Sequence, residues 1–387
     1  MFIQQSHLPR TVEQISPGRG QSESIDRLAQ PVAVDATVLK TYKPNAAPNR
    51  QQAEELLQAG IRLKRQYPSA YARIAWPRAF VTTKRGGIVG AAMPMAPEEV
   101  FYRDRGARRP CPVELLCLPG SRPVRQAGLI TPQFGLRLNF CLGIAAITNR
   151  IHQVGGLYCD FSQSNILWTC DPNQDTVCMP YFLDADGIVI GTERKDIYTA
   201  NWKDEYPRPD GLADTATDVY KVALLTFRAL NLTFRLPPPG QYRLDTSLMP
   251  AQVIADLQPT VDAALGPRAG RPTMEEFHTG LRDARALGDR LLPAKAKPVS
   301  SSSSASIPRV RAPSAPKASA PGNTRPATPV TRPRVRSAPP TGGSSTRLGE
   351  QTDRLRQWIE DLAPSAIHGF AALLLATVLI GAIVRLT

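Results

Sequence analysis

The chain has 387 residues, 42% of them hydrophobic, and a formal net charge of +14, which excludes a wholly disordered polymer and allows one large or two small domains. Ten Lys and Arg residues lie between Lys295 and Arg347 with no Asp or Glu among them, so the rest of the chain is close to neutral and no specific nucleic-acid surface is expected on its folded part. The six cysteines, Cys111, Cys117, Cys141, Cys159, Cys170 and Cys178, form no Cys-x-x-Cys pair, which excludes a zinc module and indicates reduced thiols in a cytosolic domain.

Residues 1–293 alternate apolar runs with turn signals and are expected to fold. Met1 to Arg10 lack the apolar stretch of a signal peptide. Gly18 and Gly20, in Pro17-Gly18-Arg19-Gly20-Gln21-Ser22-Glu23, mark a turn. Val32-Ala33-Val34 and Thr37-Val38-Leu39 predict strand segments around a turn, the second ending at Lys40. Ala53 to Lys64 predicts a helix with Leu56, Leu57, Ala59, Gly60 and Leu63 on or near one face. Between Phe101 and Gln133, Arg103, Arg105, Arg108, Arg109, Arg122 and Arg125 stand against Asp104 and Glu114, a solvated basic segment. Phe134 to Gln153 predicts a longer helix burying Leu138, Leu142, Ala145 and Ala146. Then follow the loop Asp160-Phe161-Ser162-Gln163-Ser164-Asn165, a strand Tyr181-Phe182-Leu183 and the turn Asp184-Ala185-Asp186-Gly187. No terminal Glu follows that turn at the spacing of a calcium-binding loop. Val219 to Leu230 predicts an apolar helix, and Thr273 to Leu287 a late one with a Thr273/Glu276 capping box.

Residues 294–346 hold ten prolines, and their Ser, Ala and Arg cannot bury enough apolar surface to offset chain entropy. They predict a disordered tether of roughly 40 Å. Residues 347–364 repeat Leu348, Leu355 and Leu362 at seven with Trp358 between them, predicting an amphipathic helix at a membrane surface, with weak self-association through 348–362 as a further reading. Residues 365–384 form an apolar run of about 30 Å as a helix, the length of a bilayer core. With the basic tether on the cytosolic side, this predicts a single-pass protein inserted after synthesis, as tail-anchored proteins are.

Lys40, Asp160, Asn165 and Asp184 fall in the order of a protein-kinase fold, and the region from about Gly18 to Ala286 resembles the protein-kinase superfamily. Within it the chain is similar to divergent bacterial kinase-like proteins, some carrying helix-hairpin-helix modules, which share a strand ending in Lys, an Ile-x-Trp-Pro segment (here Ile74-Ala75-Trp76-Pro77) and an Asp-x-x-x-x-Asn loop. The resemblance implies an α+β, bilobal fold, with a mostly β lobe over about 15–95 and a helical lobe over about 96–293. Its setting would be the cytosolic face of a bacterial inner membrane.

ATP and Mg2+ are the implied cofactors, and a protein hydroxyl is the implied acceptor. Lys40 would contact the phosphates, paired with Glu54 or Glu55, between which the resemblance does not decide. Gly18 and Gly20 would line the phosphate loop, and Met93 and Met95 the nucleotide site, where Ile88 to Pro94 resembles the strand entering the hinge. Asp160 would serve the attacking hydroxyl; Asn165 and Asp184 would bind metal, with Asp186 as a second oxygen ligand or an alternative frame. Asp218 would anchor the catalytic loop from below. Arg271 resembles the late family arginine, whose nearest acidic candidate is Asp210. The chain departs from the family at three points: Glu23 replaces the third loop glycine, Ser162 the usual lysine, and Cys159 the arginine read by activation-loop phosphorylation. The implied function is a membrane-tethered serine/threonine-kinase-like phosphotransferase. The alternative is a pseudokinase scaffold acting through contacts.

Overall fold

The computed structural model describes residues 1–17, 20–129, 131–169, 178–191, 194–196, 199 and 201–291. It is an α+β structure with a mostly β N-terminal sheet and a helical region after it. Gly18, the tether 294–346, the amphipathic segment 347–364 and the apolar run 365–384 lie outside the described residues. Among the described residues no helix is long and apolar enough to cross a membrane.

The sheet collects β1 (Phe2–Gln4), β2 (Thr11–Ser16), β3 (Ser22–Leu28) and β4 (Ala36–Tyr42), then, after α1 (Arg50–Gln66) and α2 (Pro68–Tyr71), β5 (Ala79–Thr82) and β6 (Ile88–Pro94). Its order is β1-β5-β6-β4-β3-β2, with β1 parallel to β5 and every other pair antiparallel. Side chains alternate across it. Leu28, Leu39 and Val81 make a cluster on one face. Tyr42, Phe80 and Ala91 on the other join the main core, where α1 packs with Leu56, Leu57, Ala59 and Leu63.

Asn49 and Gln52 cap α1 reciprocally, Asn49 Oδ1 accepting from Gln52 N at 2.9 Å and Gln52 Oε1 from Asn49 N at 3.1 Å. Two glycines set spacings. A Cβ on Gly90 would lie 2.7 Å from the Lys40 carbonyl oxygen, so glycine is what lets β6 lie against β4 there. Gly60 receives the Trp76 ring, whose Nε1 donates to Leu56 O at 3.0 Å.

The helical region begins with a hairpin of β7 (Phe101–Asp104) and β8 (Ala107–Pro110), followed by α3 (Val113–Cys117), α4 (Arg122–Ala127) and α5 (Phe134–Gln153). Short strands follow: β9 (Gly156–Leu157), β10 (Ile166–Trp168), β11 (Pro180–Phe182), β12 (Val189–Ile190), β13 (Arg194–Lys195) and β14 (Leu212–Ala213). They pair antiparallel as β10 with β11, β12 with β9 and β13 with β14. The helices α6 (Thr215–Asn231), α7 (Ala251–Leu265) and α8 (Met274–Leu291) complete it. Helix α6 is buried from Thr217 to Leu230, so it is the axis of this region. Phe182 N donates to Arg73 O at 2.9 Å and Ala75 N to Phe182 O at 2.8 Å, so the Ile-x-Trp-Pro segment joins α1 and the sheet to β11.

Three expectations need correction. Val32-Ala33-Val34 is a turn, not a strand. Asp35 accepts from Arg78 Nε and Nη2 at 2.7 and 2.8 Å, which holds the turn, and Val34 is left 92% exposed. The sheet begins at Phe2 rather than near residue 15, because β1 adds beside β5 with Phe2 stacked on Phe80. The basic segment 101–133 is not one solvated loop. Its arginines sit on the β7–β8 hairpin and α4, and Val113, Leu115, Leu116 and Cys117 of α3 are in the core.

Gly60→Ala sets a methyl 2.6 Å from Trp76 Cδ1. The indole must move and its hydrogen bond to Leu56 is lost, so a loss of ~2 kcal/mol is expected, seen as a lower Tm in thermal unfolding. Alanine at Gly187, where a Cβ meets nothing within 4 Å, should leave Tm near the wild-type value.

Candidate functional site

The loop between β9 and β10 is built on two side chains of α6, three residues apart and so on one face of the helix. The Asp218 carboxylate, fully buried, accepts from the backbone N–H of Tyr158 at 2.9 Å and of Cys159 at 2.8 Å, and lies 2.9 Å from His152 Nε2. Lys221, also buried, donates to the Cys159 carbonyl at 2.7 Å and to Asp196 Oδ1 at 2.5 Å. Cys159 has φ 56°, a left-handed conformation that non-glycine residues adopt only when their surroundings enforce it. Asp218 on its N–H and Lys221 on its C=O are that enforcement.

The fixed loop presents Asp160. Asn165 Nδ2 donates to the Asp160 carbonyl at 3.0 Å and to Asp160 Oδ2 at 3.1 Å, and Leu183 N donates to Asn165 O at 2.8 Å. The Tyr158 hydroxyl donates to Leu183 O at 2.7 Å, while its ring stands edge-on to Phe161 and Phe182 at 4.8 and 5.0 Å. The end of β11 is thereby tied to the Asp160 loop. Asp184 follows with φ 48°, the second left-handed residue at the site, and a single 3-10 turn, Ala185–Gly187, carries Asp186.

Both carboxylates meet Lys40. Its Nζ is 3.3 Å from Asp184 Oδ1, 3.0 Å from Asp186 Oδ1 and 2.9 Å from Asp186 Oδ2. The Tyr42 hydroxyl donates to Asp186 Oδ2 at 2.9 Å. The Asp184 side chain is 40% exposed, against 7% for Lys40 and 3% for Asp186. Burial pushes the Lys40 amine down, but the carboxylates of Asp186 and Asp184 outweigh it and hold its pKa above the ordinary lysine range. Burial raises the Asp184 pKa; Lys40 opposes this, while the charges of Asp186 and Asp160 add to it. Burial and then Asp186 push the Tyr42 phenol well up, so it stays a protonated donor.

The expected pairing of Lys40 with Glu54 or Glu55 is therefore not found. Ala53, Leu56, Leu57 and Gly60 turn toward the core, which puts the two glutamates off that face. Glu54 accepts from Arg50 and Glu55 from Gln51, each at 2.9 Å along the helix surface. Arg271 likewise does not use Asp210, which Arg208 holds instead. Its partner is Asp204, met at 2.6 and 2.7 Å with both side chains wholly buried.

Gly20 sits in the turn between β2 and β3 with φ 54°. Met93 is buried at the end of β6, Met95 is half-buried beyond it, and Glu23 is exposed at the start of β3. A cavity of about 440 Å3 lies beside the lysine cluster, lined by Gln21, Tyr42, Gln52, Glu55, Asp186 and Ile188. Among the described residues no group of three or more His, Cys, Asp or Glu is placed to hold a metal ion.

Sequence reasoning passed over Tyr42, Asp196, Asp204 and Lys221. Two of these had a visible signal: Tyr42 is two residues from Lys40 on the same strand face, and Lys221 follows Asp218 by three. Comparison with protein-family models and with curated proteins gives no match.

Asp218→Ala leaves the N–H groups of Tyr158 and Cys159 buried without this acceptor and should cost ~1–3 kcal/mol for each donor left unsatisfied. Hydrogen exchange should rise in residues 158–165 by more than in α7, which Asp218 does not touch.

Proposed function

We propose that the chain is a divergent protein-kinase-like phosphotransferase that passes the γ-phosphoryl group of Mg-ATP to a protein hydroxyl. What carries the reading is the linkage of four residues scattered through the sequence: Lys40 meets Asp184 at 3.3 Å, Asn165 holds Asp160 at 3.1 Å, and the Asp160 charge acts on Asp184. The order of parts supports it. Lys40 lies on the third of three consecutive antiparallel strands, as the phosphate-contacting lysine of kinases does. A helix follows, and a loop with Asp160 and Asn165 precedes the β10–β11 pair, with Asp184 two residues past the end of β11. The sheet and the helical region would then be the two lobes of a bilobal fold.

The donor set fits a shared cation rather than a protein cage. Asp184 is a reachable carboxylate; both Asn165 amide hydrogens go to Asp160, and Asn165 Oδ1, which accepts from Ser164 Oγ at 3.3 Å, has a second lone pair for a cation. Mg2+ is commonly held by one or two protein oxygens together with phosphates and water, so the absence of a three-carboxylate cluster among the described residues is compatible with it. Asn165 and Asp184 would hold the ion, which when bound neutralises charge on the phosphate oxygens. Lys40 contacts the phosphates and keeps them oriented. Asp160, oriented by Asn165, accepts the proton of the acceptor hydroxyl as that oxygen bonds to the γ-phosphorus and the bond from the γ-phosphorus to the bridging oxygen breaks, ADP leaving with the electron pair. Ser162 is buried against Ser164, so neither supplies the positive charge the family places there. Ser162 and the Glu23 carboxylate favour the second reading, a nucleotide-binding scaffold without transfer.

In wild-type protein, saturating Mg-ATP should raise Tm, since it binds the folded state alone. Asp160→Ala should keep that shift while lowering phosphate incorporation by about 10²–10⁴-fold, and Lys40→Ala should weaken both. Loss of the shift in wild type rules out nucleotide binding; equal incorporation by wild type and Asp160→Ala selects the scaffold. The run 365–384 is proposed to hold the domain at a membrane. Full-length protein should resist carbonate extraction, and a chain ending at Pro364 should be released.

A further inference from the structure

We infer that Asp186 is the positioning residue for Lys40, taking from the metal-side loop the task that a glutamate of the following helix performs in the kinase arrangement. The inference rests on the phosphotransfer reading for its functional meaning, but its structural content stands apart from it. Four observations lead to it. Glu54 and Glu55 are engaged along the surface of α1 by Arg50 and Gln51. The face of α1 turned inward carries Ala53, Leu56, Leu57 and Gly60, none of which can pair with an amine. Asp186 meets Lys40 through both its oxygens, at 3.0 and 2.9 Å, and is itself held by the Tyr42 hydroxyl at 2.9 Å. Finally, Lys40 and Tyr42 stand on one face of β4, so amine and phenol reach the same carboxylate from one strand.

The two carboxylates are placed for different work. Asp184 is 40% exposed and Asp186 is 3% exposed. A lysine facing Asp184 alone would lose its counter-charge when that carboxylate turned to a cation, and an unpaired buried charge is costly. Asp186, enclosed and doubly hydrogen-bonded, keeps Lys40 charged and in place while Asp184 is free to change partner. Lys40 is thus set by the 3-10 turn after β11, not by the rotation of α1. Displacing α1 would leave the lysine paired.

The test reads Lys40 directly, in full-length protein without nucleotide. A small amine-reactive ester is applied at one fixed pH, and the rate of Lys40 acylation is followed by peptide mass spectrometry. The groups facing this amine are Asp184, Asp186 and the Tyr42 phenol, with Glu55 on the adjoining cavity and Asp160 beside Asp184. Wild-type Lys40, held against both oxygens of Asp186, should react more slowly than exposed lysines. Asp186→Asn should release it, so that it is acylated about tenfold faster, and Asp186→Ala carries the test if Asp186→Asn does not fold. Glu54→Gln and Glu55→Gln should match wild type. An unchanged rate in the folded Asp186 variant overturns the inference, as does a faster rate in either glutamate variant. Failure of wild type to bind Mg-ATP would defeat the phosphotransfer reading and leave this result standing. If wild type transfers phosphate, Asp186→Asn should raise KM for ATP as well as lower kcat, since a loosened lysine weakens binding and orientation together.

Discussion

The site depends on one buried carboxylate. Asp218 sits on α6, buried from Thr217 to Leu230, and directs its oxygens at two backbone N–H groups and a histidine nitrogen. A buried carboxylate is tolerated only with such partners, and here the partners are the backbone of the loop that must be held. Lys221 completes the arrangement by taking the carbonyl of the same residue and an acid, Asp196, from the segment beyond β12. Loop conformation, Asp160 orientation and placement of that segment therefore all trace to two residues one helical turn apart. Lys221 also brings positive charge to the backbone of Cys159, a residue that itself carries no charged side chain.

A second constraint is like-charge crowding. Asp160, Asp184 and Asp186 lie close enough for the other two to raise the Asp184 pKa. One ammonium group, that of Lys40, against these three carboxylates leaves a net negative pocket. Such a pocket favours a cation, and the partly exposed Asp184 is where one could enter. Asn165 contributes no charge. It fixes geometry by donating to both the carbonyl and the carboxylate of Asp160.

Long elements were legible from periodicity. The helix expected at Phe134 to Gln153 has those limits, and Val219 to Leu230 lies inside α6. Apolar spacing over three or more turns leaves little freedom. Short elements were not legible: β1 has three residues, and Val32-Ala33-Val34 has strand composition but is bent by a turn whose cause, Arg78, lies far along the chain. At the site, residues joined by local spacing could be read, such as Asp160 with Asn165. Pairings across the chain could not. Asp204 with Arg271 and Asp186 with Lys40 depend on how distant elements pack, and the glutamates of α1 drew attention only because they were acidic and nearby. The apolar phase of that helix already argued against them.

The strand-like contact between residues 73–75 and Phe182 has a consequence for how the molecule comes apart. Trp76, immediately after it, is anchored to α1, and one core runs from Tyr42 and Leu56 through Phe182 to Phe277. The segment between α2 and β5 thus takes its backbone pairing, and the α1 side of the sheet part of its buried surface, from a strand about a hundred residues later. A chain emerging during synthesis can pair β1 to β6 but cannot cover their α1 side until β11 has been made, and the two regions should melt in one cooperative step. The exposed β2–β3 hairpin, which carries Ile15 and Glu23 and only part of that burial, is where local opening can occur without global unfolding.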